Sequence, residues 1–199
     1  MPKNIYKLRD GSIVAGVTTI INQLDKPALI QWAWKLGKEG KDWREERDSA
    51  GDIGTLVHEA IMNLISNGMA NHLDNPIINS CIEKFIAWWT AQKFTNEIPL
   101  IEQPLVSEKH QFGGQPDIFI VGRNRLVDVK TSGGIYDSHW LQIAGYDILL
   151  REQGYTPKEY QIIWLPKDDR FDCPIRTDLR REKKIFKHLL EIYKLRREE

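Results

Sequence analysis

Two short apolar runs, separated by a polar segment, stand out in the second half of the chain. Residues 118–121 and 126–129 flank the polar residues 122–125, and this pattern predicts a β-hairpin. Alternate side chains of a strand share a face, so Asp128 and Lys130 should point the same way. The valines between them should point into the core.

Apolar residues at helical spacing predict several helices. Pro27 stands at the start of the first, which Gly37 or Gly40 could end. Asp52 or Thr55 could cap a second helix that Gly68 ends. Ser138 could cap a later one. The helix that Ser138 caps is expected to end at about residue 153, and two further helices are expected over residues 76–94 and 179–196.

Other stretches predict strands. Residues 98–106 are expected to form the first strand of the sheet, with Glu102 inside it, and residues 159–165 form another. Residues 11–21 read as an extended piece that leads to a helix start at Thr18 or Thr19.

Composition excludes several classes of protein. The chain has 199 residues, is 41% hydrophobic and 28% charged, and carries no formal net charge. That balance predicts one soluble folded domain, and DNA affinity would need a local basic patch. No apolar run is long enough to span a membrane, and no secretion signal is present. Cys81 and Cys173 stand in no paired motif, so no iron–sulfur cluster is expected. We therefore expect a cytoplasmic protein, in the host cytoplasm if it is viral.

Three charged side chains converge at the predicted hairpin. Asp117 lies across from Asp128, close enough to reach the same spot, and Lys130 shares the face of Asp128. Two carboxylates so close together are unfavourable unless something binds between them. Carboxylate oxygens suit Mg²⁺ or Mn²⁺, which favours a metal site. A surface hairpin with an ordinary ion pair remains the alternative.

Other polar residues have both a structural and a functional interpretation. His58 lies near the expected first turn of its helix and could be structural, while the small Gly54 before it would allow close approach to backbone or substrate. Gln142 and Tyr146 stand four residues apart and share a helix face. Trp32 and Trp34 cannot share a face of their helix. We expect one in the core and the other half exposed, with base stacking on Trp34 as the alternative.

The order of these residues resembles the signature of the PD-(D/E)XK nuclease superfamily, in its RecB-like and phage-type exonuclease branch. The resemblance spans residues 50–150, from Gly54/His58 through Pro116-Asp117 and Asp128-Val129-Lys130 to Gln142/Tyr146. It implies an α/β, restriction-endonuclease-like fold: a mixed central sheet flanked by helices, with an N-terminal helical elaboration. One domain over 1–199 is expected, with a mostly helical part to residue 95, a sheet core over 96–177 and a final helix.

The resemblance also implies the roles of the site residues. Mg²⁺ or Mn²⁺, with two ions, would be bound by Asp117, Asp128, His58 and the backbone carbonyl of Val129. Lys130 would orient or help to deprotonate the attacking water, for which a lowered pKa would suit it. Glu102 would be an accessory site residue.

The remaining assignments concern DNA. The resemblance implies that Gln142, Tyr146, Thr131 and Ser132 hold the scissile strand or brace the metal site. The expected function is a metal-dependent DNA nuclease, with an exonuclease of recombination, repair or phage DNA processing favoured and a recombination or helicase partner possible. A nicking or structure-selective endonuclease and a catalytically silent DNA-binding protein are the alternatives.

Overall fold

The computed structural model describes residues 4–68, 74–94 and 99–197. The strands in these ranges are β1 (Tyr6–Lys7), β2 (Ile13–Gly16), β3 (Pro99–Ile101), β4 (Leu105–Ser107), β5 (Phe112–Gly114), β6 (Ile118–Ile120), β7 (Arg125–Lys130), β8 (Glu159–Trp164) and β9 (Ile175–Arg176). The α-helices are α1 (Val17–Ile21), α2 (Pro27–Lys38), α3 (Trp43–Asn67), α4 (Pro76–Gln92), α5 (Asp137–Glu152) and α6 (Arg180–Leu195). None of the helices described is long and apolar enough to cross a bilayer.

A five-stranded mixed sheet forms the centre of the molecule, in the order β3-β6-β7-β8-β9. The predicted hairpin is confirmed, since β6 and β7 are antiparallel with Ile118 opposite Val127. A 3-10 turn, Val121–Arg123, joins them and ends at Asn124, whose left-handed φ of 52° is common for asparagine. β8 then pairs with β7 in parallel, after α5 has crossed over between them. This topology makes β7 the central strand.

Both faces of this sheet are buried, because alternate residues of β7 enter two separate cores. Leu126 packs in a core with Phe186 of α6, to which α1 and α5 also contribute. Val127 packs on the other face with Ile61 of α3 and Phe85 of α4. A strand buried on both faces can hold a polar side chain only where that side chain has a specific environment. Asp128 in β7 is such a residue.

A second, four-stranded sheet, in the order β1-β2-β5-β4, was not predicted. Its strands are only two to four residues long, too short for an alternating pattern to be recognised. Gly113 of β5 lies directly against Tyr6, and a Cβ on Gly113 would be 2.3 Å from Tyr6 Cγ. The sheet therefore depends on a glycine at that position.

The predicted starts of three helices were wrong. Gly16, not Thr18 or Thr19, is the N-cap of α1. α3 begins at Trp43, where the Asp42 side chain accepts a hydrogen bond from the backbone of Arg44, so Asp52 and Thr55 lie inside the helix. His58 is consequently in the middle of α3 and not in its first turn. Tyr136, not Ser138, is the N-cap of α5.

The ends of the helices agree better with the prediction than their starts do, because glycines mark them. Gly68 caps α3 in the left-handed conformation, with φ of 70°. Gly154, with φ of 88°, follows the end of α5. Pro27 opens α2 as predicted, but the two tryptophans of that helix differ from expectation: Trp32 is only partly buried, and Trp34 is 65% exposed.

Candidate active site

β7 brings Asp128 and Lys130 to one face of the central sheet. The Asp128 side chain is completely buried, and the Lys130 side chain retains 17% of its exposure. Lys130 Nζ lies 2.6 Å from Asp128 Oδ2. The two side chains alternate with Val127 and Val129, which pack in the opposite core. The predicted division of β7 between its faces is therefore observed.

Asp117 reaches the same place from the turn that precedes β6. Because Ile118 pairs with Val127, Asp117 stands across the hairpin from Asp128. Its Oδ2 atom accepts a hydrogen bond from the Val129 backbone N–H at 2.8 Å. This bond fixes the carboxylate beside the D-x-K segment of β7.

His58 and Glu102 complete the polar cluster. His58 Nε2 lies 3.1 Å from Asp117 Oδ1, and His58 Nδ1 lies 3.2 Å from Glu102 Oε1. Residues 98–106 do not form the single strand that was predicted. Glu102 has a left-handed φ of 46° and separates β3 from β4, which belong to different sheets. The break turns Glu102 towards His58, and its N–H donates to the Asp117 carbonyl at 3.0 Å.

Opposite charges dominate at His58. Burial alone would lower the pKa of His58, but the attraction of Asp117, with its hydrogen bond, and then of Glu102 raises that pKa to about 10. Burial would raise the pKa of Asp117, yet His58, followed by Lys130 and the Val129 N–H, holds it below its usual value. The cluster thus contains a protonated histidine between two carboxylates.

Asp128 has a different balance. Burial outweighs the attraction of Lys130 and, together with Asp117, raises the pKa of Asp128 to about 6. Lys130 is also buried, but Asp128 and Asp117 overcome that effect and raise the pKa of its ammonium. The expectation of a lowered Lys130 pKa concerned a crowded cationic site, and it stays a prediction, since the charges beside Lys130 here are anionic.

A cleft of about 480 Å³ opens beside these residues. Gly54 lines it, and a Cβ there would stand 2.9 Å from Thr131 Oγ1, so a larger residue would crowd the Thr131 side chain where α3 meets the turn after β7. The neighbouring Ser132 hydroxyl donates to the Gly134 carbonyl at 2.8 Å. Thr131 and Ser132 therefore line the cleft, with the Ser132 hydroxyl already engaged inside the turn.

Lys167 and Arg170 also line the cleft, and sequence reasoning missed them. They follow β8, whose parallel pairing with β7 places both carboxyl ends together. The Leu165 N–H donates to the Lys130 carbonyl at 2.7 Å, which ties the two ends directly. Recognising β7 and β8 as parallel neighbours would have predicted these cations, because parallel strands present their following loops at one edge.

The Gln142 and Tyr146 pair is brought together as predicted. Gln142 Nε2 donates to the Tyr146 hydroxyl at 2.8 Å along one face of α5. Tyr146 is buried, and burial, followed by the charges of Asp117 and Asp128, raises the pKa of its hydroxyl. The tyrosine is thus a neutral group within electrostatic range of both aspartates.

Whether these residues suit a metal ion can be judged from their unsatisfied atoms. Among the described residues, no three histidine, cysteine or acidic side chains already form a metal-holding group. His58 and Lys130 instead lie against the carboxylates. Lys130 Nζ pairs with Asp128 Oδ2 at 2.6 Å, whereas Asp128 Oδ1 is buried without a partner. A buried carboxylate with an unsatisfied oxygen fits a hard divalent cation.

Comparisons with known proteins support the fold. The sequence matches no protein-family profile and no curated protein. A candidate exonuclease from Eubacterium rectale shares the structure with a TM-score of 0.52 at 13% sequence identity, over 72% of this chain and 65% of that chain. This likeness confirms the predicted fold class, a mixed sheet flanked by helices. The chain thus corresponds to just under two thirds of that protein's length.

A phage-related exonuclease from Haemophilus somnus is more distant. It aligns with a TM-score of 0.39 at 12% identity, over 67% of this chain and 76% of that chain, and at that TM-score the likeness carries no weight. Activity must accordingly be argued from the site itself.

Proposed function

We propose that the protein is a Mg²⁺- or Mn²⁺-dependent nuclease that hydrolyses phosphodiester bonds in DNA, with exonuclease action favoured. The observation that carries this proposal is the fully buried Asp128, whose Oδ1 atom lacks a hydrogen bond and whose Oδ2 atom pairs with Lys130, a residue that lines the cleft together with His58. Such a group is unfavourable in a purely structural role. It is favourable where a cation and an anionic substrate meet.

Asp117, Asp128 and His58 would hold the metal, with the Val129 carbonyl as a further ligand. His58 must lose its proton to bind a cation, and Glu102, 3.2 Å from its Nδ1, would then orient the imidazole. When bound, the metal would neutralise phosphate charge and lower the pKa of a coordinated water. All four side chains of the polar cluster would thus serve metal binding, three as ligands and Glu102 by orienting His58.

Lys130 would act on the attacking water and on the phosphate. Its ammonium is held at the cleft by Asp128, so it can donate hydrogen bonds to a phosphate oxygen while it orients a water molecule. Because its pKa is raised, Lys130 is a protonated cation beside Asp128. It would act as a base only if a cation held by Asp128 lowered that pKa, so that the ammonium first gave up its own proton to solvent.

The cleft walls would grip the DNA backbone. Lys167 supplies positive charge at the rim, Arg170 stands there paired with Asp168, and Thr131 supplies a hydroxyl near α3. Tyr146, neutral and tied to Gln142, would brace the carboxylates beneath the scissile strand. The biological setting that we propose is recombination, repair or phage DNA processing.

End-labelled linear DNA and closed-circular DNA, each incubated with Mg²⁺, Mn²⁺ or EDTA, test this proposal. Metal-dependent release of nucleotides from linear DNA alone would support an exonuclease. Nicking of the circle would indicate the endonuclease alternative. Asp128→Asn is the control, and sustained cleavage in EDTA would contradict the metal mechanism. Binding without any cleavage would instead support a silent DNA-binding protein.

A further inference from the structure

Helix α2 exposes a stripe of apolar and basic side chains at a spacing of four residues. We call the side chains of Lys26, Ile30, Trp34 and Lys38 the α2 stripe. Ile30 is 69% exposed and Trp34 is 65% exposed, while Lys38 Nζ lies 4.3 Å from the centre of the Trp34 ring. Residues four apart lie on one helix face, so Ile30, Trp34 and Lys38 form a line. Lys26 is the N-cap residue before them, and its ammonium donates to Asn22 Oδ1 at 2.7 Å.

The exposure of this stripe needs an explanation. Leu36 is the one residue of α2 that is fully buried among the described residues. An apolar surface that remains open on a folded domain commonly marks a binding site. The helix itself contains no acidic residue and carries Lys35 and Lys38. A positively charged helix with an exposed indole suits an anionic ligand with aromatic rings that can stack on the indole.

Helix α2 lies beside an element of the catalytic cleft, because it contacts α3 and α3 lines that cleft with Gly51 and Gly54. Tyr136 is half exposed and lies beside Gly133, which also lines the cleft. Exposed aromatic side chains thus stand next to the cleft as well as on the stripe.

We propose that the α2 stripe binds a single-stranded segment of the DNA that enters or leaves the catalytic cleft, with Trp34 stacked on a base and Lys26 and Lys38 facing phosphates. This inference rests on the proposed nuclease function, since it places the strand relative to that cleft. The stripe is about 18 Å long at 1.5 Å per residue, long enough for a few nucleotides.

The chemistry selects a single strand over a duplex. In a duplex the faces of the bases are already stacked on each other, and an exposed indole on a convex helix cannot reach between them without unstacking. An unpaired base offers its face freely. The stripe therefore predicts tighter binding of an overhang than of a blunt end.

Fluorescence anisotropy with a labelled single-stranded oligonucleotide of about 20 nucleotides, in EDTA so that no cleavage occurs, tests the stacking. Trp34→Leu keeps an apolar side chain but removes the aromatic face, and affinity should fall roughly 5- to 150-fold. Trp34→Tyr should restore most of the affinity. Circular dichroism would verify that the wild type and both variants are folded. We expect them to be, because Trp34 is exposed and its replacement leaves the core unchanged.

A charge variant tests the phosphate contacts. Lys26→Ala/Lys38→Ala should lower the slope of log affinity against log salt by about 1.4 for a single strand. Lys184→Ala/Lys187→Ala on α6 removes the same charge elsewhere and is the matched control. A control that lowers the slope equally would show general attraction and overturn the assignment.

The outcomes separate this inference from the nuclease proposal. If the wild type cleaves DNA but Trp34→Leu binds the oligonucleotide as tightly as the wild type does, the stripe assignment is wrong and the nuclease stands. If Trp34 controls binding but no cleavage occurs, the stripe stands and the nuclease does not. A dimer in size-exclusion chromatography that Trp34→Leu dissociates would assign the surface to a second copy and overturn the inference.

Discussion

Asp117 and Asp128 are chemically identical and lie side by side, yet they have opposite electrostatic environments. Asp117 is paired with His58 and accepts the Val129 N–H, which keep its pKa low. Asp128 is more deeply buried and pairs only with Lys130, and burial raises its pKa to about 6. From the sequence, the two carboxylates were expected to be unfavourably close unless something binds between them. The structure distinguishes the two.

We predict opposite effects of the two asparagine substitutions on stability in EDTA at pH 8. The folded-state pKa of Asp128 is raised, so its ionised form destabilises the protein fully above pH 6 and less as pH falls towards 4. Asp128→Asn should therefore stabilise by about 1–3 kcal/mol. Asp117→Asn should destabilise by about 1–3 kcal/mol, since it removes a charged partner of His58.

Urea denaturation of both variants checks this prediction, with each serving as the control for the other. Both should lose most turnover. If Asp128→Asn is less stable than the wild type at pH 8, the ion pair with Lys130 outweighs the burial of the carboxylate.

A second residue-scale prediction separates catalysis from binding at the lysines of the cleft. Lys130→Ala should lower turnover by roughly 10²–10⁴-fold, because it removes a group that acts at the reacting phosphate. DNA affinity measured in Ca²⁺ should change little. Lys167→Ala, in the same cleft, is the control and should weaken binding and reduce the salt dependence by about one unit, with near-normal single-turnover cleavage.

Measuring both variants across salt concentrations and under single turnover decides between the roles. Should Lys130→Ala bind poorly but cut normally once bound, its role is to hold phosphate and the catalytic assignment is wrong.

At the scale of elements, the approach of α3 to the turn after β7 depends on one glycine. A Cβ on Gly54 would be 2.9 Å from Thr131 Oγ1, whereas a Cβ on Gly51, one turn earlier, would meet no atom within 4 Å. The two glycines share a helix and line the same cleft. They therefore form a matched pair for substitution.

We predict that Gly54→Ala lowers activity at least tenfold, since α3 and His58 must move away from the carboxylates. Gly51→Ala should retain activity and gain up to about 1 kcal/mol from the better helix propensity of alanine. Thermal melting and initial cleavage rates measure both effects. Adding Thr131→Ala to Gly54→Ala should recover part of the loss. Equal behaviour of the two alanine variants would show that the close approach is not required.

Elements differ in how far the sequence predicts them. The hairpin could be predicted because its apolar runs are separated by turn residues and its charges alternate with valines. The start of α3 could not, since Asp52 and Thr55 are as suitable caps as Asp42, and only tertiary structure selects among them. The break at Glu102 was hidden because a left-handed non-glycine residue leaves no sequence signal.

The contents of the candidate site show the same limit. Side chains within one strand or helix, such as Asp128 and Lys130, follow from periodicity. Lys167 and Arg170 do not, because their place depends on the parallel pairing of β7 with β8. The charge state of the cluster was also beyond the sequence, since it depends on burial and distances between separate elements.

On the scale of the whole molecule, the polar cluster joins parts of the chain that are far apart in sequence. His58 comes from a helix on one face of the central sheet, Asp117 and Glu102 from segments around β3 and β6, and Asp128 from β7. Protonated His58 connects Asp117 with Glu102, while Asp128 pairs with Lys130. A bound cation would take over this connection, so metal binding and protonation should compete across the fold.

We predict a linkage between metal and pH that follows from His58. Its folded-state pKa is raised to about 10, so its contribution to stability in EDTA is full below pH 6.5 and is lost as pH rises to 10. Mg²⁺ binding needs neutral His58, so the stabilisation by Mg²⁺ should grow from pH 7 to pH 9. At 100 times the dissociation constant it is about 2.7 kcal/mol, or roughly 5–11 °C in melting temperature.

Differential scanning fluorimetry with Mg²⁺ or EDTA at each pH measures this linkage without requiring activity. His58→Gln, which is neutral at every pH, should flatten both the decline in EDTA and the pH dependence of the Mg²⁺ effect. It should also raise the Mg²⁺ concentration needed for half-maximal cleavage. A well-folded His58→Gln protein with the same Mg²⁺ titration as the wild type at every pH would exclude His58 as a ligand. The carboxylates alone would then hold the cation.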